Sequence, residues 1–385
     1  MIPYGKQSIN QQDIDAVINV LTSDFLTQGP KVPEFESKLS SLCKAKFAFA
    51  VNSATSALHI ACCALGLGKG DWLWTSPITF VASANCGLYC GASIDFVDVD
   101  EATYNMCPRK LEEKLIVAKQ QGRLPKIVIP VHLCGQSCDM EAIFRLSQEY
   151  GFKIIEDASH AIGGFYKGEP IGNCAYSDMT VFSFHPVKII TTAEGGAVLT
   201  NNAALAEKLA LLRSHGVTRN TDLMEGESHG AWYYEQVALG FNYRMTELQG
   251  ALGASQISRL SEFVQKRHKL AERYNQRLAD LPIVLPKQHT DTYSSFHLYI
   301  IRLKLNLLTK SRKQIFDELR DADIGVNVHY IPVHTQPYYQ SLGFTVGDFP
   351  VAERFYSEAI SLPLYADMTD TEQNEVISIL TRVLA

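Results

Sequence analysis

Lys153-Ile-Ile-Glu-Asp-Ala-Ser-His160 decides the fold, because it joins a short apolar strand to a turn that carries polar side chains. A helical pattern over residues 139–150 precedes it, and a second apolar run, Met179 to Phe184, follows it. Strands separated by helices predict right-handed crossovers and a mostly parallel sheet. Ligands bind beyond the carboxyl ends of the strands in such a sheet. Asp157, at the end of the predicted strand, is therefore a candidate site residue.

The same alternation of strands and helices extends along most of the first 200 residues. It predicts an α/β fold whose sheet has about seven strands and helices on both faces. Residues 10–23 also show the i, i+3, i+4, i+7 apolar stripe of an amphipathic helix. The stripe consists of Ile14, Val17, Ile18 and Leu21. The other predicted strands are Phe47 to Val51, Trp72 to Thr75, Ile94 to Val99, Lys126 to Val131 and Gly196 to Thr200, with helices near 55–65, 81–89 and 108–120 between them.

The pattern changes past residue 203, where helices dominate. A long helical segment, Thr246 to Asp280, is followed by a smaller predicted α+β lobe. A chain of 385 residues exceeds the roughly 250–300 residues at which a single core stops growing. We therefore expect a large domain over 1–240 and a smaller domain over 241–385. The smaller lobe is predicted to contain strands Phe296 to Leu303 and Gly325 to His329, and helices near 310–321, 350–360 and 369–384.

Composition excludes several classes of partner. The net charge is −6, so the chain has no general attraction for nucleic acid or anionic membranes. The first residues lack the apolar core of a signal peptide, and no run of about 18 apolar residues occurs. We therefore expect a cytoplasmic protein.

Nine cysteines lie between Cys43 and Cys174, and their number and setting favour reduced thiols over disulfides. Cys134 and Cys138, with His132 nearby, could bind a metal. Their spacing is not that of a zinc knuckle and no second ligand pair follows, so we expect no metal. Cys62 and Cys63 fall within a helical pattern and are predicted to be small core residues.

Lys188 ends the stretch Ser183-Phe-His-Pro-Val-Lys188, and together with Asp157 it indicates a particular kind of site. A lysine that forms a Schiff base needs partial desolvation to be nucleophilic. A carboxylate beside a pyridine nitrogen keeps that ring protonated, so that it acts as an electron sink. The pair therefore suggests pyridoxal phosphate, although either residue alone is more often a surface cation or a turn residue.

Asn52-Ser-Ala-Thr-Ser56 is a candidate phosphate site, because it joins a strand to the start of a helix. Free backbone N–H groups and the Thr55 hydroxyl could hold an anion there. An ordinary N-cap is the alternative. Ser183 offers a second hydroxyl for the same phosphate.

Two further residues have an ordinary and a functional interpretation. Phe80 follows the next strand and could stack on the cofactor ring, although a core position is the common fate of phenylalanine. His160 could hydrogen-bond near the phenolic oxygen of the ring, although a lone histidine is more often structural.

Seven motifs occur in the order found in the nucleotide-sugar aminotransferases of the DegT/DnrJ/StrS group, which have fold type I, and the chain resembles that family over essentially its whole length. The motifs are Asn52-Ser-Ala-Thr-Ser-Ala57, Pro77-Ile-Thr-Phe-Val81, Glu156-Asp-Ala-Ser-His160, Ser183-Phe-His-Pro-Val-Lys188, Glu194-Gly-Gly196, Arg213-Ser-His-Gly216 and Phe241-Asn-Tyr-Arg-Met245.

The resemblance implies a role for each candidate at the cofactor. Lys188 would form the Schiff base and Asp157 would pair with the pyridine nitrogen. Phe80 would stack on the ring, and His160 would lie close to the cofactor. The phosphate contacts would be Ser183, Thr55 and the backbone at Ala54.

The resemblance also implies a homodimer with shared active sites, because Asn242 corresponds to an asparagine that reaches the phosphate of the neighbouring subunit. Arg244 would either serve the diphosphate of the substrate or brace its own loop. The role of Glu194, catalytic or structural, stays open.

Four blocks resemble the transaminases of pseudaminic acid biosynthesis, and Tyr4 and His329 match substrate-side positions of that subgroup. The implied reaction aminates C4 of a UDP-linked 4-keto-6-deoxy-N-acetylhexosamine, with L-glutamate as donor and 2-oxoglutarate as the second product. The blocks are Phe25-Leu-Thr-Gln-Gly29, Arg213-Ser-His-Gly-Val-Thr-Arg219, Gly240-Phe-Asn-Tyr-Arg244 and Val328-His-Tyr-Ile-Pro332.

Other functions stay open at this point. One is a C4 aminotransferase for another nucleotide sugar, of the bacillosamine, perosamine or 4-amino-arabinose type. A sugar 3-dehydratase of the same fold carries a histidine in place of the lysine, so Lys188 disfavours it. A non-catalytic regulator on this fold would usually have lost Lys188 or Asp157. An NAD-binding reductase lacks its Gly-x-Gly-x-x-Gly motif here.

Overall fold

The computed structural model describes residues 1–385 and contains a central seven-stranded sheet. The sheet is parallel from β3 through β2, β4 and β5 to β6, whereas β7 is antiparallel to both of its neighbours, β6 and β1. This confirms the predicted, mostly parallel sheet of seven strands. The strands are β1 (Phe47–Val51), β2 (Trp72–Thr75), β3 (Ser93–Phe96), β4 (Ile127–Ile129), β5 (Lys153–Asp157), β6 (Met179–Ser183) and β7 (Gly196–Thr200), in the spatial order β1-β7-β6-β5-β4-β2-β3.

Thirteen α-helices accompany the strands, and none of them is both long enough and apolar enough to cross a bilayer. They are α1 (Gln11–Leu21), α2 (Lys31–Cys43), α3 (Ala54–Ala64), α4 (Ala82–Tyr89), α5 (Pro108–Gln120), α6 (Met140–Tyr150), α7 (Ala203–Leu212), α8 (Glu247–Gln256), α9 (Leu260–Arg277), α10 (Arg312–Asp321), α11 (Pro337–Gln340), α12 (Pro350–Glu358) and α13 (Asp370–Leu384).

Both faces of the large sheet are covered by helices. Successive residues of a strand point to opposite faces, and here they enter different cores. Leu73 and Ile155 pack in the core that contains residues of α3, α4 and α7. Their neighbours Trp74 and Ile154 pack in the core built with α5 and α6. The predicted α/β arrangement with helices on both faces is therefore confirmed.

A smaller antiparallel sheet lies in the C-terminal third of the chain, with the order β8-β9-β10. Residues of α9, α10 and α13 share a separate apolar core with it. Because α8 packs against α1 and α2, the segment just after residue 241 also contacts the first part of the chain. The domain boundary between 240 and 241 stays a prediction. The strands are β8 (Ile283–Val284), β9 (Tyr299–Leu303) and β10 (Ala359–Leu362).

Five two-residue strands form two small ribbons outside these sheets. One ribbon pairs Val217–Thr218 with Glu235–Gln236, and the other contains Phe165–Tyr166, Glu169–Pro170 and Thr292–Tyr293.

Helix α2 was not predicted, because the prolines at its start are typical of loops. Pro30 precedes the helix and Pro33 lies in its first turn. The first-turn N–H groups have no intrahelical acceptor, so proline removes no helical hydrogen bond there.

Two predictions for the smaller lobe and one for the long helical segment need correction. Residues 325–329 do not form a strand, because pairing is limited to single bridges of Ile324 with Ile2 and of Asn327 with Ser361. The predicted helix near 350–360 ends at Glu358, and the chain continues directly as β10. The segment 246–280 is two helices, α8 and α9, separated by a 3₁₀ turn over Ile257–Arg259.

The predicted helix near the start of the chain forms, but most of its apolar stripe faces away from the protein's own core. Ile14, Ile18 and Leu21 are 43%, 49% and 57% exposed. The buried residues of α1 are instead Asp13 and Val20. Asp13 accepts hydrogen bonds from Ser255 and Gln256, so the polar face of α1 binds the end of α8.

Candidate active site

A cavity of about 460 Å³ lies where the carboxyl ends of β1, β2, β5 and β6 meet. Its volume falls within the range typical of small-molecule sites. Nine of the predicted site residues line it: Tyr4, Ala54, Thr55, Phe80, Asp157, His160, Ser183, Lys188 and His329.

Lys188 is held at the cavity by the loop that connects β6 to β7. The base of this loop is closed by hydrogen bonds from the Phe184 N–H to the Gly195 carbonyl and from the Thr192 N–H to the Phe184 carbonyl. Ile189 and Ile190 are buried directly after the lysine and fix its backbone. Burial lowers the pKa of Lys188 to about 8, and the Asp157 carboxylate opposes this shift. At pH 7 about one tenth of the amine is therefore neutral, far more than for an ordinary lysine.

Asp157 ends β5, and its orientation is fixed from both sides. Ser83 donates a hydrogen bond of 2.6 Å to Oδ2, and the Ser159 hydroxyl donates one of 2.6 Å to Oδ1. The Ser159 backbone N–H also donates to Oδ1 at 3.1 Å. A buried carboxylate held in this way presents a fixed negative charge to the cavity.

The histidines around Lys188 are held neutral. Burial, followed by the charge of Lys188, lowers the pKa of His329 to about 3. The same two causes, again with burial first, hold the pKa of His160 well below its usual value. The pKa of His297 also lies well below its usual value, because of burial first and the neighbouring His160 second. Lys188 is therefore the basic group of this set that titrates closest to physiological pH.

His160 forms part of a directed hydrogen-bond chain. The Cys134 backbone N–H donates to His160 Nδ1 at 3.3 Å, which places the ring proton on Nε2. Nε2 lies 3.1 Å from the Tyr330 hydroxyl oxygen and donates to it. The Tyr330 O–H is then free to donate to a group in the cavity. Burial raises the pKa of Tyr330, so the phenol keeps its proton.

The first turn of α3 forms the anion-binding end of the cavity. Ser53 caps the helix by accepting a hydrogen bond from the Ser56 N–H, and helix geometry leaves the Ala54 and Thr55 N–H groups without intrahelical acceptors. Gly196 lies directly beneath this turn, since a Cβ there would come within 2.6 Å of the Ala54 nitrogen. Gly196 pairs with Val51 on one side and Ser183 on the other, so the ladder fixes Ser183 beside the turn.

Aromatic side chains also line the cavity. Phe80 is 61% exposed, so it is not a core residue, and its ring centroid lies 6.5 Å from that of Tyr330. The Tyr4 and His329 rings are 5.3 Å apart. The Leu364 N–H donates to the Tyr4 carbonyl, and His329 Nδ1 lies 2.8 Å from the Ser361 hydroxyl, so both residues are anchored to the smaller lobe.

Asn242 and Arg244 do not line the cavity of their own chain. The Asn242 side chain is exposed, and its backbone pairs with Ser214. Arg244 Nη1 donates to the Ser214 hydroxyl at 3.0 Å, while its Nε is buried without a partner. Within one chain, Arg244 therefore braces its loop.

Glu194 lines the cavity, but its side chain is 62% exposed and lies 4.0 Å from His185 Nε2. Its backbone carbonyl accepts hydrogen bonds from Gln249 and Thr192. The backbone of Glu194 therefore holds the turn, while its carboxylate has no close partner that would indicate a chemical role.

The cysteines near His132 have other partners. His132 Nδ1 accepts from the Cys138 N–H, and Nε2 lies 2.7 Å from Glu156. The Cys138 thiol donates to the Val131 carbonyl. Both nitrogens of His132 are engaged, so this spacing does not assemble a metal site.

Three side chains important to the cavity were not predicted. Ser159 lies inside a quoted motif, two residues after Asp157, where a hydroxyl often bonds a nearby carboxylate. Tyr330 lies next to the predicted His329, and only the fold brings it to His160. Ser83 gave no signal, because its approach to Asp157 depends on how α4 packs.

The cavity fits pyridoxal phosphate by the chemistry of its donor set. Free N–H groups of α3 and the Ser183 hydroxyl suit a phosphate. The fixed Asp157 carboxylate suits a protonated ring nitrogen, and the partly neutral Lys188 amine suits an aldehyde carbon.

Comparison with known proteins gives an independent result. Residues 7–381 match the model of the DegT/DnrJ/EryC1/StrS aminotransferase family. The spore coat polysaccharide biosynthesis protein SpsC of Bacillus subtilis is 39% identical over 379 residues, covering 98% of this chain and 95% of the relative. The UDP-4-amino-4,6-dideoxy-N-acetyl-beta-L-altrosamine transaminase of Campylobacter jejuni is 38% identical over 371 residues, covering 96% of this chain and 93% of the relative.

Solved structures agree with these relatives. Helicobacter pylori PseC, an aminotransferase involved in the biosynthesis of pseudoaminic acid, superposes with a TM-score of 0.91 at 32% identity, over 100% of this chain and 99% of that one. The PLP form of the putative sugar aminotransferase Spr1654 from Streptococcus pneumoniae superposes with a TM-score of 0.88 at 30% identity, over 100% of both chains.

Proposed function

The chain belongs to the DegT/DnrJ/EryC1/StrS aminotransferase family, and we propose that it transfers the amino group of L-glutamate to C4 of a UDP-linked 4-keto-6-deoxy-N-acetylhexosamine. It is a sugar aminotransferase that uses pyridoxal phosphate. The proposed products are UDP-4-amino-4,6-dideoxy-N-acetyl-β-L-altrosamine, an intermediate of pseudaminic acid biosynthesis, and 2-oxoglutarate.

The observation that carries this proposal is the pairing of Lys188 and Asp157 in one cavity. When bound, pyridoxal phosphate supplies an electron sink for the carbon that bears the amine. Asp157 is proposed to hold the positive charge of the ring nitrogen, because Ser83 and Ser159 fix its carboxylate. Ser183, Thr55 and the Ala54 N–H are proposed to hold the phosphate, which leaves the Lys188 amine at the reacting end.

Lys188 is proposed to move the proton in both halves of the reaction. Its Nζ removes the proton from Cα of glutamate and later delivers a proton to C4 of the sugar. A pKa of about 8 suits this task, because the amine can both accept and release a proton near neutral pH. The side of the sugar that faces Lys188 would fix the stereochemistry of the new amine.

Tyr4 and His329 are proposed to bind the sugar. They line the same cavity as Asp157 and Ser183, and both are hydrogen-bonded to the smaller lobe, Tyr4 through Leu364 and His329 through Ser361. His329 stays neutral because of its low pKa, so it offers hydrogen bonds without repelling Lys188. Tyr330, oriented by His160, is proposed to donate a hydrogen bond to the cofactor or substrate.

The active unit is proposed to be a homodimer in which Asn242 reaches the cavity of the partner chain. Asn242 lies outside its own cavity, yet its side chain is exposed and available. Large apolar side chains near α1 and on the 217–239 segment are also exposed, and a second chain would cover them. They include Ile18, Leu21, Phe25, Leu26, Trp232, Tyr234 and Leu239.

A mixing experiment tests the shared site. Lys188→Ala and Asn242→Ala chains are each inactive or impaired alone, but a mixed dimer contains one intact site. Unfolding and refolding the two together should restore about one quarter of wild-type activity if chains reassort at random. A monomer in solution, or no recovery despite mixed dimers, would contradict the shared site while leaving the aminotransferase intact.

The choice of sugar rests on the similarity to the Campylobacter transaminase and to PseC. SpsC is equally similar, so other nucleotide 4-keto sugars are the alternative. The test is a panel of UDP-4-keto-hexosamine epimers incubated with L-glutamate, with products identified by mass spectrometry and NMR. We expect the L-arabino-type ketone to react fastest.

Two outcomes of the panel would redirect the proposal. A preference for the D-gluco-type ketone would refute the pseudaminic acid assignment and keep the aminotransferase. Borohydride reduction should also link the cofactor to Lys188. Amine transfer to no member of the panel, with the link intact, would favour a non-catalytic regulator.

A further inference from the structure

Three reactive side chains outside the cavity converge between α3 and α4. One ring nitrogen of His59 and the sulfurs of Cys63 and Cys90 all lie within 4.8 Å of one another. His59 and Cys63 are four residues apart on α3 and so lie on one face of it, and Cys90 follows α4 directly. Because α3 and α4 pack against each other, the fold itself holds these groups together.

The separation of the two sulfurs suits a metal ion. The sulfurs of Cys63 and Cys90 are 3.7 Å apart, and both thiols are free. Two thiolates bound tetrahedrally to zinc at about 2.3 Å are about 3.8 Å apart. A disulfide would need a sulfur separation of about 2.05 Å. The observed distance therefore matches the edge of a zinc tetrahedron and not a disulfide.

We propose that His59, Cys63 and Cys90 bind one Zn²⁺ ion per chain, with water at the fourth position. Binding forms two Zn–S bonds and one Zn–N bond and releases the two thiol protons to solvent. Two thiolates balance the two charges of the ion, so the complex is neutral and tolerates its partly buried position. His59 is buried, whereas Cys63 and Cys90 are half-buried, so the ion and its water reach the site from solvent.

The surroundings of His59 resemble the outer layer of a metal site. The Tyr243 hydroxyl lies 3.1 Å from Nδ1 of His59, and the Phe241 ring centroid lies 4.7 Å from the imidazole. Such contacts fix the orientation of a metal-bound imidazole. The ion would therefore tie α3 and α4 to the segment 241–243. Cys63, predicted as a core residue, is thus assigned a metal-binding role.

The site does not depend on the proposed function. None of the three residues lines the Lys188 cavity, so zinc binding is measured without any amine transfer. The holoenzyme is reduced, treated with a chelator, reloaded with Zn²⁺ and passed through a desalting column. Elemental analysis should then find about one zinc per wild-type chain.

Matched variants locate the ion. Cys63→Ser, Cys90→Ser and His59→Ala should each retain less than about one tenth of an equivalent after the same treatment. Cys86→Ser is the control, because Cys86 lies on α4, four residues before Cys90, and its thiol donates to the Ser83 carbonyl of the same helix. It should keep the full equivalent. Circular dichroism and cofactor content establish that each variant is folded.

Cobalt gives a second readout. Co²⁺ in a tetrahedral thiolate site absorbs at the red end of the visible spectrum, beyond the cofactor band. Wild type and Cys86→Ser should show this absorption and the three ligand variants should not. Absence of zinc in the wild type, retention of zinc by folded ligand variants, or its equal loss from Cys86→Ser would each overturn the proposal. So would a Cys63–Cys90 disulfide whose reduction restores no zinc binding.

Discussion

Glu156 and Asp157 are neighbours in β5, and both are buried, yet their carboxylates face opposite sides of the sheet. Glu156 is enclosed, where His132 Nε2, Ser177 and Thr180 donate hydrogen bonds to it. Burial raises the pKa of Glu156, but these donors outweigh it and the pKa lies below its usual value. Asp157 is also held by hydrogen bonds, but it lines the cavity and acts on Lys188.

The difference separates a carboxylate enclosed by its own chain from one that lines a cavity and is proposed to act on a cofactor. Both are oriented by hydroxyl groups, so orientation alone does not separate them. Glu156 faces only groups of its own chain, whereas Asp157 faces space large enough for a ligand. Substitutions on the two sides of β5 should therefore affect different measurements.

Lys188→Arg should have the largest effect. A guanidinium does not lose its proton in proteins, so it can neither form the Schiff base nor move a proton. We expect turnover to fall by about 10⁴-fold or more, measured as 2-oxoglutarate release. The thermal midpoint should change little. Substantial turnover by this variant would refute the role of Lys188.

Asp157→Asn should reduce kcat by about 10²–10³-fold, because the ring nitrogen loses its anionic partner. Stability should stay close to that of wild type, since the amide keeps hydrogen bonds to the two serines. Steady-state kinetics with saturating cofactor measure the loss. A large fall in stability with normal kcat would place Asp157 in the same class as Glu156.

Glu156→Gln should lower stability and leave kcat almost unchanged, the opposite of Asp157→Asn. It replaces a buried anion that accepts three hydrogen bonds, and we expect the free energy of unfolding to fall by about 2–3 kcal/mol. The kcat of the folded fraction should remain within about twofold of wild type. Denaturant unfolding and active-site titration give the two values. A selective loss of kcat would mean that the two faces of β5 are coupled.

The pKa of Lys188 predicts a pH-dependent stability of the cofactor-free protein. The folded pKa, about 8, lies below the ordinary value of 10.5, so the unfolded chain binds more protons between these values. Stability contributed by this group therefore rises with pH across that window and is lowest below pH 8. Lys188→Met should stabilise the protein by about 2 kcal/mol at pH 7, allowing for residual solvent access. The gain should vanish near pH 10.5 in urea unfolding, and a constant difference would contradict the assigned pKa.

Tyr330→Phe should have the smallest effect. It removes one hydrogen bond into the cavity, and we expect kcat to fall by about tenfold with little change in stability. His160→Ala should lower kcat by a similar factor. The double variant should lower it little further, because the two residues belong to one hydrogen-bond chain. Additive losses would show that they act separately.

Much of the site followed from the sequence, because strand ends and helix starts are local patterns. Asp157 and Ser183 end strands and Thr55 follows one, and the rule for parallel sheets brings them to one edge. The fold places them there with Lys188. Their chemical roles stay predictions that the variants above test.

The remaining features depend on contacts that no local pattern encodes. The α1 periodicity predicted a helix but not what covers Ile14 and Ile18. Ala359 follows α12 without a glycine or proline, so the change to β10 gave no signal. Ser83 and Tyr330 approach the cavity from helices and loops whose positions are set by packing.

The ladder in which Gly196 joins Val51 to Ser183 also bears on how such an enzyme can diverge in evolution. It fixes one end of the cavity through main-chain bonds, which substitutions of side chains barely move. Tyr4 and His329 line the same cavity as side chains that are hydrogen-bonded to the smaller lobe. Relatives could therefore exchange these rings and acquire new substrates without losing the cofactor. As the proposed sugar-binding residues, Tyr4 and His329 are the first positions at which to engineer a new sugar preference.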